Sequence, residues 1–434
     1  MGMNESAYPM KIVKPQMMMK GALVMLILLF LAGCYSTTRL SNQNLSYLYW
    51  KESGILHPKY SVYHASDSVS KVFCYIRPDD LLFTRQDGSE DFTASYIIHY
   101  RLLPSYESKE VIDSATHEFN PSRAEAKSAI LKEIAFKTPI MGNLLLEISV
   151  SDMQRKQTAR SFININKAGV DNRQSFLVYK RSKDRPLFKN YLSEQEKVTI
   201  LSQLDGVGRL LLKYYDSQFP ISSPPFSVKA QPPFQVKPDS LANIHLDEGM
   251  TSVTFREAGI YHLISDTASN GGITFFVYDN DFPALTQPEE LIGPLRYITT
   301  RQEFSEMRLL ESKKLAVDNF WLNVTGNPDR GRKIVRQFYG RVEEANRYFS
   351  SYLEGWKSDR GMVFIVYGPP DVVYKNSNTE SWTYGEEGNI TSVNFTFYKA
   401  NNPFSDNDFR LSRSVIYKNS WFHAVDAWRQ GIVY

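Results

Sequence analysis

The side chains best suited to catalysis or binding lie close together in the C-terminal third of the sequence. Ser358, Asp359 and Arg360 are consecutive there, and Asp371 follows a short distance later. Carboxylates of this kind can supply an acid, a base or a nucleophile in hydrolysis. A hydrolase would need a concave pocket that gathers Asp359, Asp371 and the imidazole of His423.

Two other interpretations of this stretch compete with catalysis. A serine oxygen caps backbone N–H groups, and a neighbouring carboxylate and guanidinium hold a loop by charge-assisted hydrogen bonds, so the stretch also has a structural explanation. Alternatively, Asp359, Arg360 and Asp371 form a polar cluster that grips a peptide or a glycan. Glycan binding predicts exposed, coplanar aromatic platforms, with Trp356 and Trp382 as the candidates. We predict the structural role and assign no catalytic residue.

The sequence lacks the established signatures of enzymes and metal sites. Its seven histidines include no His-x-x-x-His pair, and no Gly-x-Ser-x-Gly elbow, Walker loop or dinucleotide fingerprint is present. Asp279 and Asp281 resemble part of a calcium loop, but the glycine and the glutamate that complete such a loop do not follow. A turn is the better prediction there, and we expect neither a metal nor a cofactor.

Length and composition are those of a globular protein with more than one core. Of the 434 residues, 42% are hydrophobic and 13% are aromatic. This suffices for two or three cores, because a single core stops growing at about 250–300 residues. The formal net charge is +3 without a long basic block. The sequence therefore predicts neither nucleic acid nor an acidic polymer as a partner.

The apolar run that ends at Cys34 has the form of a lipoprotein signal sequence. It is about a dozen residues long, short of the roughly 20 that cross a hydrocarbon core, and Ala32 and Gly33 place small residues before the thiol. The positive charges that precede the run are Lys11, Lys14 and Lys20. We predict a signal peptide at residues 1–33, acylation of Cys34, for example with palmitate, and a polar tether at residues 34–59. The alternative is an uncleaved anchor.

Alternation of apolar and polar residues predicts a mainly β N-terminal part with two immunoglobulin-like β-sandwich modules. The first module spans residues 60–170, and every even position from 92 to 102 within it is apolar or aromatic. Cys74 lies in an apolar run of this module and is expected to be a buried thiol without a disulfide partner. The second module spans residues 171–287.

The second module contains two proline-rich stretches, at residues 219–226 and 231–238. Proline lacks the backbone donor that a central strand needs, so both stretches are predicted to be edge or connecting segments. The functional alternative is a polyproline ligand for a binding groove.

The pattern changes to helical periodicity after residue 288, and an α+β domain is predicted for residues 288–434. Thr300 and Glu303 form a capping-box pattern at the start of a helix that runs to Gly326. A second helix is expected over residues 329–353, where apolar residues recur at three- and four-residue steps.

The rest of this domain alternates strands with turns and closes with a helix. The unbroken apolar run 362–367 predicts a strand covered on both faces. Three further strands are predicted at residues 380–384, 393–398 and 409–411. Ser420 is expected to cap a last helix that carries Trp421 and Trp428. These tryptophans seal a core or, if they are exposed with Phe422 and residues 433–434, form a partner-binding patch.

One segment resembles the motif that names the GWxTD domain, a family of Bacteroidota envelope proteins. The segment reads Gly355, Trp356, Lys357, Ser358, Asp359. Ser358 stands where the family name has threonine, which keeps the hydroxyl group and loses a methyl group. Further residues that match the family pattern are Arg360, Gly361, Gly368, Pro369, Pro370 and Asp371. The resemblance covers about residues 288–434 and implies no catalytic residue.

The resemblance to Bacteroidota lipoproteins implies a place in the outer membrane. Residues 35–47 contain no acidic residue, whereas surface-exported members carry an acidic run after the acylated cysteine, so we expect the chain to face the periplasm. The expected role is a non-catalytic scaffold or accessory subunit of an envelope assembly, transport or secretion complex. In this role the sandwiches space the family domain away from the anchor, and the C-terminal domain exposes an apolar patch. A glycan- or peptidoglycan-binding lipoprotein and an envelope hydrolase are the alternatives.

Overall fold

The fold comes from a computed structural model that describes residues 38–432. The ranges left out of this description are 51–54, 86–90, 127–128, 140–141, 170, 181–184, 203, 205, 217–218, 229–236, 267–270 and 327. The predicted signal peptide, Cys34 and residues 433–434 also lie outside the described residues. Across the described ranges, no helix has the length and the apolar character needed to cross a lipid bilayer.

The first module is a β-sandwich. Its strands are β1 (Lys59–His64), β2 (Val69–Ile76), β3 (Thr84–Arg85), β4 (Phe92–Thr93), β5 (Tyr96–Leu103), β6 (Asp113–Phe119), β7 (Ile130–Lys137), β8 (Asn143–Asp152) and β9 (Gln157–Asn166). One sheet has the order β1-β2-β7 and the other β6-β5-β8-β9, with all neighbours antiparallel. The even positions of β5 and β8 are buried between the sheets, which confirms the period-two prediction.

Two residues of this module test separate sequence predictions. Phe92, predicted on the buried face with β5, is half exposed, because it lies in the separate short strand β4. Cys74 is buried, as predicted, and burial raises the pKa of its thiol to about 12. A thiol of that kind is not a nucleophile at neutral pH.

The second module is also built from two sheets around one core. Its strands are β10 (Phe176–Lys180), β11 (Tyr191–Ser193), β12 (Lys197–Ser202), β13 (Arg209–Tyr215), β14 (Ser240–His245), β15 (Met250–Thr254), β16 (Gly259–Ile264) and β17 (Ile273–Tyr278). The sheets have the orders β10-β12-β15 and β11-β17-β16-β13-β14. Sequence alternation missed β11, which is short, and β14, which is largely exposed on both faces.

The two modules share one topology. When the short pair β3-β4 and the parallel strand β11 are set aside, each module pairs its first, second and fifth strands in one sheet. In each module the other sheet has the order fourth, third, sixth, seventh. This common order supports the idea that the modules are diverged copies, and the finer immunoglobulin-like assignment stays a prediction.

The proline-rich stretch at residues 219–226 is a connection that packs on the C-terminal domain. Ile221 and Phe226 contact the core of that domain, and the backbone N–H of Ser222 donates to the carbonyl of Lys357 at 3.0 Å. Residues 219–226 belong to no strand, as predicted. Because these residues already have internal partners, they are not free polyproline ligands.

The C-terminal domain is an α+β unit. Its helices are α1 (Pro288–Leu295), α2 (Arg301–Leu309), α3 (Lys313–Thr325), α4 (Pro328–Phe349), α5 (Asp359–Tyr367) and α6 (Tyr417–Arg429). Its strands are β18 (Val372–Lys375), β19 (Thr379–Tyr384), β20 (Val393–Lys399) and β21 (Phe409–Leu411), and they form one antiparallel sheet in chain order. A mainly β N-terminal part followed by a helical and β C-terminal part agrees with the predicted fold class.

The main error of the sequence prediction is at residues 362–367, which belong to helix α5 and not to a strand. Nearly every residue of α5 is buried. A short, fully apolar run gives the same pattern in a buried helix and in a buried strand, so periodicity does not separate them. Gly361 accordingly lies inside the first turn of α5 and does not lead into a strand.

The other helix predictions are partly right. The capping box is present, with the Glu303 N–H donating to Thr300 Oγ1 at 3.2 Å. The single helix predicted from there to Gly326 is two helices, because Leu310 is extended and Ser312 caps α3 by accepting from the Leu315 N–H at 3.3 Å. Helix α4 ends at Phe349, earlier than predicted, because a turn around Ser350 follows.

Helix α6 begins before its predicted cap. It starts at Tyr417, and the hydroxyl of Ser420 donates to the Tyr417 carbonyl at 3.1 Å, so Ser420 is not an N-cap. Trp421 and Trp428 are buried in the core of the domain. The alternative that these two form an exposed interface is therefore wrong, because helix α6 turns both rings into the core; Phe422 on the same helix is exposed.

Candidate functional site

Residues 355–357 form a 3-10 turn that leads through Ser358 into the first turn of helix α5. Ser358 is the N-cap of α5, with its Oγ accepting from the Gly361 N–H at 3.0 Å and donating to the Gly355 carbonyl at 2.7 Å. A short hydroxyl side chain satisfies one of the helix donors that have no partner within the helix. The predicted capping role of Ser358 is therefore present.

The glycines of this turn allow close contact between backbones. A Cβ on Gly355 would lie 1.9 Å from the carbonyl oxygen of Ala345 in α4, and a Cβ on Gly361 would lie 1.9 Å from the carbonyl oxygen of Gly355. No side chain fits at either position without moving the backbone. The two glycines thus fix the start of α5 against α4.

Trp356 is buried and joins the turn to helix α1. Its ring lies so close to Gly293 that a Cβ there would be 2.8 Å from the indole. The backbone N–H of Trp356 donates to Asn346 Oδ1 at 3.0 Å, and the Tyr297 hydroxyl donates to the Trp356 carbonyl at 2.8 Å. Trp382 is fully buried as well. The predicted glycan platform is therefore wrong for these two tryptophans, because their ring faces are covered by protein.

Asp359 is buried and connects α5 to the end of the sheet. Its Oδ2 accepts from the Leu411 N–H at 2.8 Å, and its Oδ1 accepts a charge-assisted bond from Arg413. Arg413 also donates to the carbonyl of Pro224 at 2.8 Å, which ties the proline-rich stretch to the same carboxylate. Asp359 therefore does not pair with Arg360, although the two residues are adjacent.

Arg360 is buried and bonds to a set of residues different from that of Asp359. Its Nη1 donates to Glu380 Oε2 at 3.0 Å, and its Nη2 donates to the Asn407 carbonyl at 2.9 Å. The guanidinium lies between two rings, 5.0 Å from the centroid of Phe349 and 4.3 Å from that of Phe409. Arginine is the cation best suited to a buried site that is both paired and stacked.

Glu380 is the main functional residue that sequence reasoning missed. It is fully buried on β19, where alternation places it on the same face as Trp382. Its neighbours are Arg360, Lys375 Nζ at 3.4 Å and Trp382 Nε1 at 2.7 Å. Burial alone raises the pKa of a carboxyl group, but the two cations and the hydrogen bonds outweigh it and lower the pKa of Glu380. The signal that could have identified Glu380 is its place on the apolar face of a predicted strand, where a carboxylate needs a buried partner.

The segment from Gly368 to Asp371 turns the chain from α5 into β18. Gly368 has φ 92°, which favours glycine, and its carbonyl accepts from the Tyr384 hydroxyl at 2.8 Å. Pro369 and Pro370 follow, and Asp371 Oδ2 accepts from the Gly385 N–H at 2.7 Å. The Asp371 carboxylate therefore holds a hairpin.

The structure does not bring together the three residues that a hydrolase site would need. Asp359 is buried and paired with Arg413, Asp371 is bonded to the hairpin, and His423 is exposed on α6. Within the described ranges, no hydrogen bond joins His423 to either carboxylate, and no group of His, Cys, Asp or Glu side chains has the geometry of a metal site. The turn predicted at Asp279 is present, with the Phe282 N–H donating to the Asp279 carbonyl at 3.1 Å.

Residues 44–50, which the sequence assigned to a tether, lie against this domain. Leu45 is fully buried in the C-terminal core. The hydroxyl of Tyr49 donates to Glu380 Oε1. Sequence patterns did not predict this contact, because it joins residues that are 331 positions apart.

Replacing Ser358 with alanine is expected to lower the free energy of unfolding by about 1 kcal/mol, because the N-cap bond to Gly361 is lost. Ser358→Thr, which matches the family motif, keeps the hydroxyl and is expected to stay within about 0.5 kcal/mol of the parent. Chemical denaturation of both variants measures these differences. Equal losses in the two variants would show that the hydroxyl is not what stabilises this turn.

Comparison with known proteins gives one informative match. Residues 259–430 match the model of the GWxTD domain. The match begins at β16, so it includes the last two strands of the second sandwich and starts earlier than residue 288. No curated protein sequence matches the chain.

Solved structures with some similarity include red sea bream transglutaminase and CBD12 from CALX1.2. The transglutaminase shares 12% identity over 52% of this chain and 31% of its own, with a TM-score of 0.19. CBD12 shares 8% identity over 57% of this chain and 86% of its own, with a TM-score of 0.13. The chain thus spans about a third of the transglutaminase, and likenesses this weak support no conclusion about fold or activity.

Proposed function

We propose that this chain, which belongs to the GWxTD domain family, is a non-catalytic, periplasm-facing lipoprotein of the outer membrane that holds partners in an envelope assembly, transport or secretion complex. The observation that carries the proposal is that internal bonds occupy the charged groups of the motif. Asp359 is paired with Arg413, and Arg360 is paired with Glu380. Buried and paired in this way, the motif stabilises the domain and offers no free acid or base.

A surface for partners is available on helices α2 and α3 and on the link between them. Four leucines, which we call the leucine surface, are exposed there, whereas most leucines that the structure describes are buried or partly buried. They are Leu309 (85% exposed), Leu310 (44%), Leu315 (53%) and Leu322 (50%). Leu315 and Leu322 are two turns apart and share one face of α3. Exposed apolar patches on soluble domains often mark protein contact sites, and the scaffold hypothesis expects one on this domain.

The contacts of residues 39–50 change one part of the expected arrangement. Leu40 is buried six residues after Cys34, and a chain of that length spans at most about 20 Å. Since Leu45 and Tyr49 pack on the C-terminal core, the sandwiches are not long spacers between anchor and family domain in this proposal.

Photocrosslinking in intact cells tests the proposal. A photoreactive amino acid at Leu315 is expected to capture the same envelope protein as one at Leu310, because both positions lie on the leucine surface. The control position is Leu241, an exposed leucine (59%) on strand β14 of the second sandwich. Mass spectrometry identifies the crosslinked product.

Two results would contradict the proposal. Capture of no discrete protein at Leu310 or Leu315, together with a hydrolytic activity that is lost in a folded Asp359→Ala variant, would reject the scaffold in favour of an envelope hydrolase. Equal capture at Leu241 would show that the leucine surface is not a specific contact site.

A further inference from the structure

Residues 44–50, which we call the N-terminal segment, pack on a surface of the GWxTD domain that we call the groove. The groove is bounded by the edge strand β18 and by the aromatic residues around Glu380. Among the strands that the structure describes, β18 pairs with β19 alone and so ends its sheet. An edge strand of this kind carries backbone groups that can pair with another segment.

The backbone of β18 binds the start of the N-terminal segment. The Leu45 N–H donates to the Val373 carbonyl at 2.8 Å. The side chain of Asn44 makes two more bonds, donating from Nδ2 to the Asp371 carbonyl at 3.1 Å and accepting the Val373 N–H on Oδ1 at 3.0 Å. Asn44 thereby acts like an additional peptide group on the sheet edge.

Tyr49 fills a pocket deeper in the groove. Its ring is 95% buried and contacts Tyr348, Phe349 and Trp382, with ring centroids 5.6, 5.3 and 5.4 Å away. Lys375 Nζ lies 5.1 Å from the centroid of the same ring. The hydroxyl donates to Glu380 Oε1. Burial and the nearby carboxylate raise the pKa of Tyr49 well above its ordinary value, so the hydroxyl remains a donor.

Both parts of the family pattern help to build this groove. Arg360 binds Glu380 Oε2 and leaves Oε1 for the tyrosine hydroxyl. At the other end, the carbonyls of Pro370 and Asp371 accept from Trp50 Nε1 at 3.3 Å and from Asn44 at 3.1 Å. The motif arginine and the Gly-Pro-Pro-Asp turn therefore position the two ends of one binding surface.

We propose that the GWxTD domain is a peptide-recognition module. Its groove takes a segment with adjacent asparagine and leucine and with tyrosine four residues after the leucine, and the N-terminal segment occupies it in cis. The segment makes one backbone bond to the sheet edge and then forms a 3-10 turn at Ser46–Tyr49. A main-chain bond to an edge strand combined with a deeply buried anchor side chain resembles known modes of peptide binding. The contact joins Asn44 to Asp371, 327 positions away, so the segment reaches the domain as a distant stretch of chain. This inference is independent of acylation at Cys34.

The chemistry of the groove sets its specificity. Phenylalanine in place of Tyr49 leaves Glu380 without one buried donor and is expected to weaken binding about 10- to 100-fold. A charged residue in place of Leu45 is excluded, because that side chain is fully buried and a lone charge there has no partner.

A binding experiment with the full chain tests the proposal. The double variant Leu45→Asp, Tyr49→Ala is expected to vacate the groove. A fluorescein-labelled peptide of residues 38–50 should then bind the variant in an anisotropy titration and should not bind the parent chain. The same peptide with Tyr49→Phe is the matched control and should bind about 10- to 100-fold more weakly. A folded double variant that does not bind the labelled peptide overturns the inference.

A second measurement decides the matter if the double variant does not fold. A protease site placed in residues 51–54 of the otherwise unchanged chain allows the N-terminal segment to be cut from the body after folding. Exchange of the cut segment for the labelled peptide, blocked by excess unlabelled peptide, supports the module. A cut chain that never exchanges, or that unfolds when the segment leaves, shows that the segment is a permanent part of the fold and overturns the inference.

Discussion

Replacing Glu380 with alanine is expected to lower the free energy of unfolding by about 3–5 kcal/mol, because it leaves buried cations without a counter-charge. Arg360 and Lys375 both pair with this carboxylate, at 3.0 and 3.4 Å. Tyr49 and Trp382 lose a buried acceptor at the same time. Urea-induced unfolding of the full chain measures the change. The midpoint concentration should fall, whereas the slope of the free energy of unfolding against urea concentration should stay the same.

Two matched variants separate charge from general disturbance. Glu380→Gln keeps an acceptor for Tyr49 and removes the charge, so it should fall between the parent and Glu380→Ala. Glu386→Ala removes an exposed glutamate from the following hairpin and should change stability by less than about 0.5 kcal/mol. A Glu380→Ala variant that is as stable as Glu386→Ala would mean that the buried pair is not what holds the motif arginine in place.

Replacing Gly355 with alanine is expected to cost at least about 3 kcal/mol, at the upper end of what overpacking costs. The added Cβ would lie 1.9 Å from the Ala345 carbonyl oxygen and 2.5 Å from its carbon. Both obstacles are backbone atoms of helix α4, which cannot rotate away as a side chain can. Thermal and chemical unfolding of the purified variant measure the loss.

Gly340 provides the control for this substitution. It lies inside α4, and a Cβ there would meet no atom within 4 Å. Gly340→Ala is therefore expected to stabilise the chain by about 0.5–1 kcal/mol through higher helix propensity. If Gly355→Ala is tolerated as well as Gly340→Ala, the turn is not fixed by close packing against α4.

The sequence predicted elements wherever one face of a strand or helix is buried. The alternation at residues 96–102 places Tyr96, Ile98, Tyr100 and Leu102 between two sheets, and the structure buries all of them. The same reasoning failed for α5, because all its faces are buried and its composition then carries no period. Periodicity reports the contrast between two faces, so it contains no information where that contrast is absent.

The candidate site was predicted less well, because its bonds join distant parts of the chain. Local chemistry identified Ser358 as a cap, since the bond spans only three residues. It did not identify Arg413 as the partner of Asp359 or Glu380 as the partner of Arg360, which lie 54 and 20 positions away. Spacing along a sequence does not encode such tertiary pairs.

The N-terminal segment is the clearest case of this limit. The tether prediction treated these residues as polar, although five of the seven are leucine, tyrosine or tryptophan. Leu45 and Tyr49 are its deeply buried side chains, and a few such anchors carry most of the binding energy of a typical peptide ligand. In the structure the segment is therefore packed on the domain and is not a spacer.

The scaffold proposal and the peptide groove make different demands on the molecule. The leucine surface lies on α2 and α3, whereas the groove lies on β18 and around Glu380. Variants of one surface can therefore be tested without changing the other. Loss of crosslinking at Leu315 would leave the groove proposal intact, and failure of the labelled peptide would leave the scaffold intact.

Intact-mass spectrometry of the protein purified from membranes tests the central proposal, a lipid-anchored scaffold, most directly. We expect a mature chain that begins at Cys34 and carries the added mass of acyl chains, and a Cys34→Ser variant that loses this mass and leaves the membrane fraction. An unmodified Cys34 in a protein recovered from the soluble fraction would contradict lipid anchoring.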